Sequence, residues 1–86
     1  MTIDRDGRRH LAEGLQLFFA GKLHSDYFVG DYAQPYLRSM DVGLRRLADE
    51  LATFYLDWEG FYREGEPEQL ARVIAFLDSD RELLDP

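Results

Sequence analysis

The segment DVGLRRLADELATFYLDWEGFYR, Asp41 to Arg63, decides the fold. At about 100° per residue, Leu44, Leu47, Leu51, Phe54, Tyr55, Trp58, Phe61 and Tyr62 fall within an arc of roughly 140°, and Arg46, Asp49, Thr53, Asp57 and Glu64 lie opposite. This spacing predicts one long amphipathic helix, with Ser39 or Asp41 as its cap and Gly65 just beyond its end. So wide an apolar arc suits contact with two neighbouring elements. Leu56 alone among the large apolar residues lies clearly outside it, so the aromatic residues need no partner to explain them.

Toward the amino terminus, Leu11, Leu15 and Phe18 recur at helical spacing with Phe19 on the same broad face. They predict a first helix from about Asp4 to Ala20, capped by Asp4 or Asp6 and stopped by Gly21. Gly14 inside it costs roughly 1 kcal/mol relative to alanine and points to a neighbouring backbone in close approach. The stretch SDYFVGDYAQPYLRS, Ser25 to Ser39, carries Gly30 and Pro35 and follows neither the helical nor the strand period, so it is expected to be mostly turn with one short helix begun by Ser25. It is too long for a simple connector, and such stretches are commonly either functional or locally structured.

Toward the carboxyl end, Glu66 and Pro67 open a last main helix whose buried face is Leu70, Val73, Ile74 and Leu77. Ser79 and Glu82 then match the capping-box spacing and would begin a final turn carrying Leu83 and Leu84 back to the core. Short connections between these helices imply an all-α fold, a compact antiparallel bundle of three to four helices in one domain spanning residues 1–86.

The ending ARVIAFLDSDRELLDP, with the Trp58-bearing segment before it, resembles the ending of a set of small bacterial proteins of no known activity. Those chains finish on an arginine, an Ile-x-Phe-Leu run, a Ser-Asp pair, acidic residues and a proline. The matching positions here are Arg72, Ile74, Phe76, Leu77, Ser79, Asp80, Glu82 and Pro86, and the likeness covers roughly residues 41–86. The resemblance implies a bacterial helical protein and contributes no catalytic residue.

Composition narrows the chemistry. Hydrophobic residues make up 45% and charged residues 31% of the chain, a globular balance. The net charge of -7 opposes a phosphate backbone, which disfavours direct nucleic-acid binding. The absence of cysteine removes disulfides, thiolate zinc sites and thiol nucleophiles. No secretory signal is recognisable at the start of the chain, and runs such as Leu17 to Ala20 and Val73 to Leu77 fall far short of the ~20 residues that span a bilayer, so no membrane association is expected and the expected location is cytoplasmic.

His10 and His24 lack any di-iron-like carboxylate spacing, and the Asp78-Ser79-Asp80 run fails as a calcium loop, so no metal or cofactor is expected. His24, Ser25 and Asp26 are adjacent in sequence, which is a poor arrangement for a triad; Ser25 is expected to cap a turn and His24 to be solvated. No phosphate-binding glycine loop is present, and the chain is expected not to be an enzyme.

Charge and aromatic placement remain. Residues 1–48 hold seven basic and six acidic side chains, whereas residues 49–86 hold three basic and eleven acidic. On the predicted long helix, Glu50, Asp57 and Glu64 recur every seventh residue, about 10.5 Å apart. The stripe is read either as a solvated face or as a docking surface for a basic partner. Tyr27, Tyr32 and Tyr36, interleaved with Asp26 and Asp31, have the composition of a binding loop, or else cover the open side of the bundle.

Together these features lead to the expectation of a non-enzymatic acidic binding protein that neutralises or regulates a basic protein such as a toxin or nuclease, in the manner of an immunity protein, antitoxin or phage inhibitor. The alternative is a homo-oligomeric structural or adaptor domain, a homodimer pairing through helix flanks that carry Leu17, Leu56 and Phe76. A third reading is a nucleic-acid mimic. The basic cluster Arg5, Arg8 and Arg9 carries little weight as a phosphate contact against the overall charge.

Overall fold

The computed structural model describes residues 2–58, 60–64 and 67–81. All regular structure among them is helical: α1 (Arg5–Phe19); the short α2 (Ser25–Tyr27), which runs on through a π-helical turn (Phe28–Ala33) and a 3-10 turn (Gln34–Tyr36); α3 (Val42–Tyr55); and α4 (Leu70–Leu77). No helix among the described residues is long and apolar enough to cross a membrane.

α1 begins where the Asp4 carboxylate accepts the Gly7 amide at 2.8 Å. Its chain turns away at Gly21, whose φ of 75° a side chain would resist. Gly14 does admit a close approach, but the neighbour is a side chain and not a backbone. A Cβ at Gly14 would lie 2.6 Å from the Cβ of Tyr32 and would overlap its ring.

The connector is helical along most of its length, where turn was expected. Its wide π-helical turn, closed by i to i+5 bonding, brings Phe28 and Ala33 to the same buried side. That spacing matches neither regular period, which is why the stretch looks patternless in sequence.

α3 is capped as expected, by Asp41, but ends at Tyr55 and not near Arg63. The physical cause is a set of contacts to α2. The Ser25 hydroxyl donates to the Trp58 carbonyl at 2.8 Å and the Ser25 amide to the Gly60 carbonyl at 3.0 Å. Gly60 takes a φ of 84°, so the chain leaves the helix axis and folds back. Trp58 and Tyr62 then stack at 5.5 Å between ring centroids, and Tyr62 meets Phe19 edge-on at 4.6 Å. Their aromatic area is gathered over the end of α1 by a loop.

α4 starts at Leu70, with Pro67 opening the turn before it: the Leu70 amide donates to the Pro67 carbonyl at 3.0 Å. Leu70 and Leu77 are buried and Val73 and Ile74 pack partly against the core. Glu66, Glu82 and the turn assigned to Leu83 and Leu84 lie outside the described residues.

The ends of the elements define an up-down-up-down order. Phe18 near the end of α1 stacks on Phe28 at 4.9 Å and meets Tyr55, the last residue of α3, edge-on at the same centroid distance. At the other end, the starts of α1 and α3 meet the end of α4 around Arg8. Leu11, Leu15, Leu44 and Ala48 fill the space between.

Arg8 is completely buried, in contrast to its assignment to an exposed basic cluster. Its Nε and Nη2 donate to the two carboxylate oxygens of Asp41 at 2.6 and 2.8 Å. Nη1 donates to the carbonyls of Ser79 at 3.0 Å and Phe76 at 3.4 Å, and Nη2 also to that of Arg81 at 2.8 Å. The guanidinium also lies 4.8 Å from the centroid of the Phe76 ring. Asp41 accepts in addition from the backbone amides of Asp4 at 3.0 Å and Leu44 at 3.3 Å. Burial, the largest influence on Asp41, would raise its pKa. The hydrogen bonds from Arg8, Asp4 and Leu44 and the charge of Arg8 together outweigh it and hold the carboxyl below its ordinary range. One ion pair thus ties α1, the start of α3 and the end of α4 together, and no buried side-chain polar atom among the described residues lacks a partner.

Candidate functional site

The three tyrosines of the connector have three different fates. Tyr32 lies over Gly14 and stacks on the His10 ring at 4.5 Å. Tyr36 shares a 2.6 Å hydrogen bond with His10 Nδ1. Burial, followed by the negative charges of Asp4 and Asp6, pushes the Tyr36 phenol above its usual pKa, so a protonated hydroxyl is available to donate. These two rings fasten the connector to α1. Tyr27 alone of the three is strongly exposed, at 63%.

Around Tyr27 a surface cluster forms. His24 caps α2 by accepting the Asp26 amide on Nδ1 at 3.1 Å, which fixes its ring at the start of the helix. The ring meets Tyr27 edge-on at 6.3 Å and Phe61 edge-on at 5.4 Å. Phe61 is 44% exposed, and the carboxylates of Asp26 and Asp31 stand exposed on the same helical connector as Tyr27. Capping therefore falls to His24, while Ser25, expected to cap, is buried and bonded to Trp58.

The acidic stripe does not exist as a feature of one helix. Glu50 is on α3, but Asp57 and Glu64 follow its end, so the regular spacing expected of them is lost. All three are exposed. Glu50 lines a groove between α3 and α4 with Arg46 and Arg72, and the charge of Glu64 acts on the Tyr55 phenol.

Two residues missed as surface features are Phe61 and Phe54. Phe54 is 70% and Leu56 62% exposed, although helical phase placed Phe54 in the buried arc. Of the other two flank residues, Leu17 and Phe76 are both half-buried. The signal for Phe61 was Gly60 immediately before it, a residue suited to turning the chain.

The polar groups considered for catalysis are engaged structurally. Ser25 Oγ is directed at Trp58 O, His24 Nδ1 at the Asp26 amide, and Ser79 Oγ at Phe76 O at 2.6 Å. The His24-Ser25-Asp26 run is consequently not arranged as a nucleophile and its base. Among the described residues no three His, Asp or Glu side chains converge as metal ligands. No protein-family model, curated protein or solved structure matches this chain.

Proposed function

We infer that this protein is a non-catalytic binding protein for a basic protein partner, and that Tyr27, with Phe61, His24, Asp26 and Asp31 around it, forms its contact surface. The observation that carries this reading is the exposure of Tyr27 and Phe61, both packed edge-on against the His24 ring, with carboxylates on the element that bears Tyr27. A large ring exposed to water gains by burial in a partner, and flanking carboxylates favour Lys or Arg over other neighbours. The surplus of acidic side chains supports the same sign of partner. A toxin or nuclease held inactive by such a surface is the form of partner that best suits the charge.

The test is affinity capture from the source cell with wild-type protein and with Tyr27→Ala and Asp26→Lys/Asp31→Lys variants, followed by rate measurements on the purified captured protein. The expected partner is basic and is released by salt. Loss of the Tyr27 ring should weaken binding by about 30-fold or more, as for an anchor residue. Charge reversal should slow association by roughly tenfold at low salt. A captured protein whose binding ignores all three positions would remove this surface from consideration.

The exposed pair Phe54 and Leu56 favours a second reading, self-association through the end of α3. Sedimentation distinguishes the two: a dimer broken by Phe54→Ser/Leu56→Ser supports pairing, whereas a monomer across the accessible concentration range supports capture of another protein.

A further inference from the structure

His24 sits at the centre of the surface around Tyr27, and its Nδ1 has two neighbours that a proton would set against each other. That nitrogen accepts the Asp26 amide at 3.1 Å, which requires a free lone pair, so the cap exists only while Nδ1 is unprotonated. It also stands 3.7 Å from Asp26 Oδ2, a distance at which the carboxylate makes no hydrogen bond to the neutral ring but attracts a charged one. We propose that protonation of His24 switches this surface: Nδ1 exchanges the Asp26 amide for the Asp26 carboxylate, and the rings of Tyr27 and Phe61 lose their common support.

Once Nδ1 carries a proton it is a donor facing another donor, the Asp26 N–H, so the two repel and the first turn of α2 loses its side-chain cap. The carboxylate beside it offers the new N–H an acceptor after a small movement of the ring. Imidazole is the side chain whose ordinary titration falls between about pH 5 and 8, and the His24 ring is partly exposed, so the proton arrives directly from solvent. Among the described residues no other carboxylate lies within ion-pair distance of this ring. Asp31 on the connector, and Asp57 and Glu64 on the segment that bears Phe61, are exposed and make no pair with it; Lys22 and Arg63 are the exposed cations on the same stretches of chain.

The ring is edge-on to Tyr27 at 6.3 Å and to Phe61 at 5.4 Å, so it bridges the connector and the segment after α3. Moving it separates the two exposed rings, and its positive charge offsets one of the two carboxylates, Asp26 and Asp31, that favour Lys or Arg. Both changes oppose capture of a basic partner, so capture belongs to the neutral side of the titration and release to the acid side. That consequence rests on the function proposed above; the rearrangement does not.

The test is a nuclear magnetic resonance titration of the isotope-labelled free protein from about pH 8 to about pH 5. The His24 ring, the Asp26 amide and the ring protons of Tyr27 and Phe61 should move with one common midpoint. Protection of the Asp26 amide against hydrogen exchange, corrected for the intrinsic rate, should fall about fivefold, the ratio for a cap of ordinary strength. An Asp26 amide and aromatic rings that ignore the His24 titration overturn the proposal. Asp26→Asn keeps the amide but removes the receiving carboxylate and should move the His24 midpoint to lower pH; an unchanged midpoint overturns the exchange. The chain has one other histidine, His10. His24→Asn supplies a cap that does not titrate and should leave the Tyr27 and Phe61 signals flat over the same range, and a shift that persists overturns the proposal. The two readings fail separately, because this titration involves no partner and the Tyr27→Ala capture is run at one pH.

Discussion

Replacing Asp41 with asparagine isolates the charge of the buried ion pair while keeping a side chain that caps helices well. In the native protein Arg8 is 0% and Asp41 1% exposed, so water screens neither group. The substitution leaves Arg8 with its bonds to the carbonyls of Phe76, Ser79 and Arg81 but with an uncompensated buried charge. Breaking such a pair from one side costs about 3–5 kcal/mol. A domain of this length has a total stability of roughly 4–13 kcal/mol at ~0.05–0.15 kcal/mol per residue, so the loss is a large share of the whole.

The assay is urea unfolding followed by far-ultraviolet circular dichroism and by Trp58 fluorescence, whose coincidence checks two-state behaviour. With a slope of about 1–2 kcal/mol per molar urea, the midpoint should fall by roughly 1.5 M or more. Arg5→Ala is the internal reference: its ion pair with Asp80 is as short, 2.7 Å, but 73% and 60% exposed, and its loss should cost less than about 1 kcal/mol. Arg8→Met added to Asp41→Asn removes the stranded charge and should recover part of the loss. If Asp41→Asn costs no more than Arg5→Ala, or if the double variant is no better than Asp41→Asn, the reasoning from burial is wrong.

Asp41 also sets an acid limb. Its native pKa lies below the unfolded value of about 4, so its contribution is complete above that pH and disappears as pH falls through the depressed native value. The slope of stability below about pH 4 should flatten in Asp41→Asn, and an unchanged slope would assign it to other carboxylates. Gly14→Ala should destabilise by about 1–3 kcal/mol in urea because Tyr32 occupies the space of the new methyl. Gly30→Ala, which meets no atom within 4 Å and has no positive φ, should instead stabilise by up to about 1 kcal/mol; matching signs for the two glycines would contradict the packing described. Burial, then Tyr62 and Glu64, push the Tyr55 phenol up to about 12. Since unfolded tyrosine ionises near 10, stability should be intact below about pH 10 and decline toward pH 12. Tyr55→Phe should remove that part of the decline in unfolding midpoints measured across this range.

The elements legible in the sequence are those whose side chains face one uniform apolar interior. Leu11, Leu15 and Phe18 on α1, the start of α3 at Asp41, and Leu70 with Leu77 on α4 all obey helical phase because each meets core along its length. Phase fails where the main chain finds a distant partner. Trp58, Phe61 and Tyr62 continue the arc of α3 on a helical wheel, yet Ser25 takes the carbonyls of Trp58 and Gly60 and draws the chain off its axis. Phe61 goes astray for the same reason, although Gly60 before it signals the turn, whereas Phe54 lies within α3 at the edge of its apolar arc, away from the face that buries Leu44, Ala48 and Tyr55.

Arg8 is the instructive opposite case. It is spaced three residues before Leu11 and seven before Leu15, on the apolar stripe of α1, so helical phase already marks it as inward-facing. An inward cation needs an inward anion, and Asp41, held at the start of α3 by its capping role, is the residue that meets it. Reading charge in phase with the apolar stripe, instead of as a local cluster with Arg5 and Arg9, turns a candidate phosphate contact into the joint of three helices.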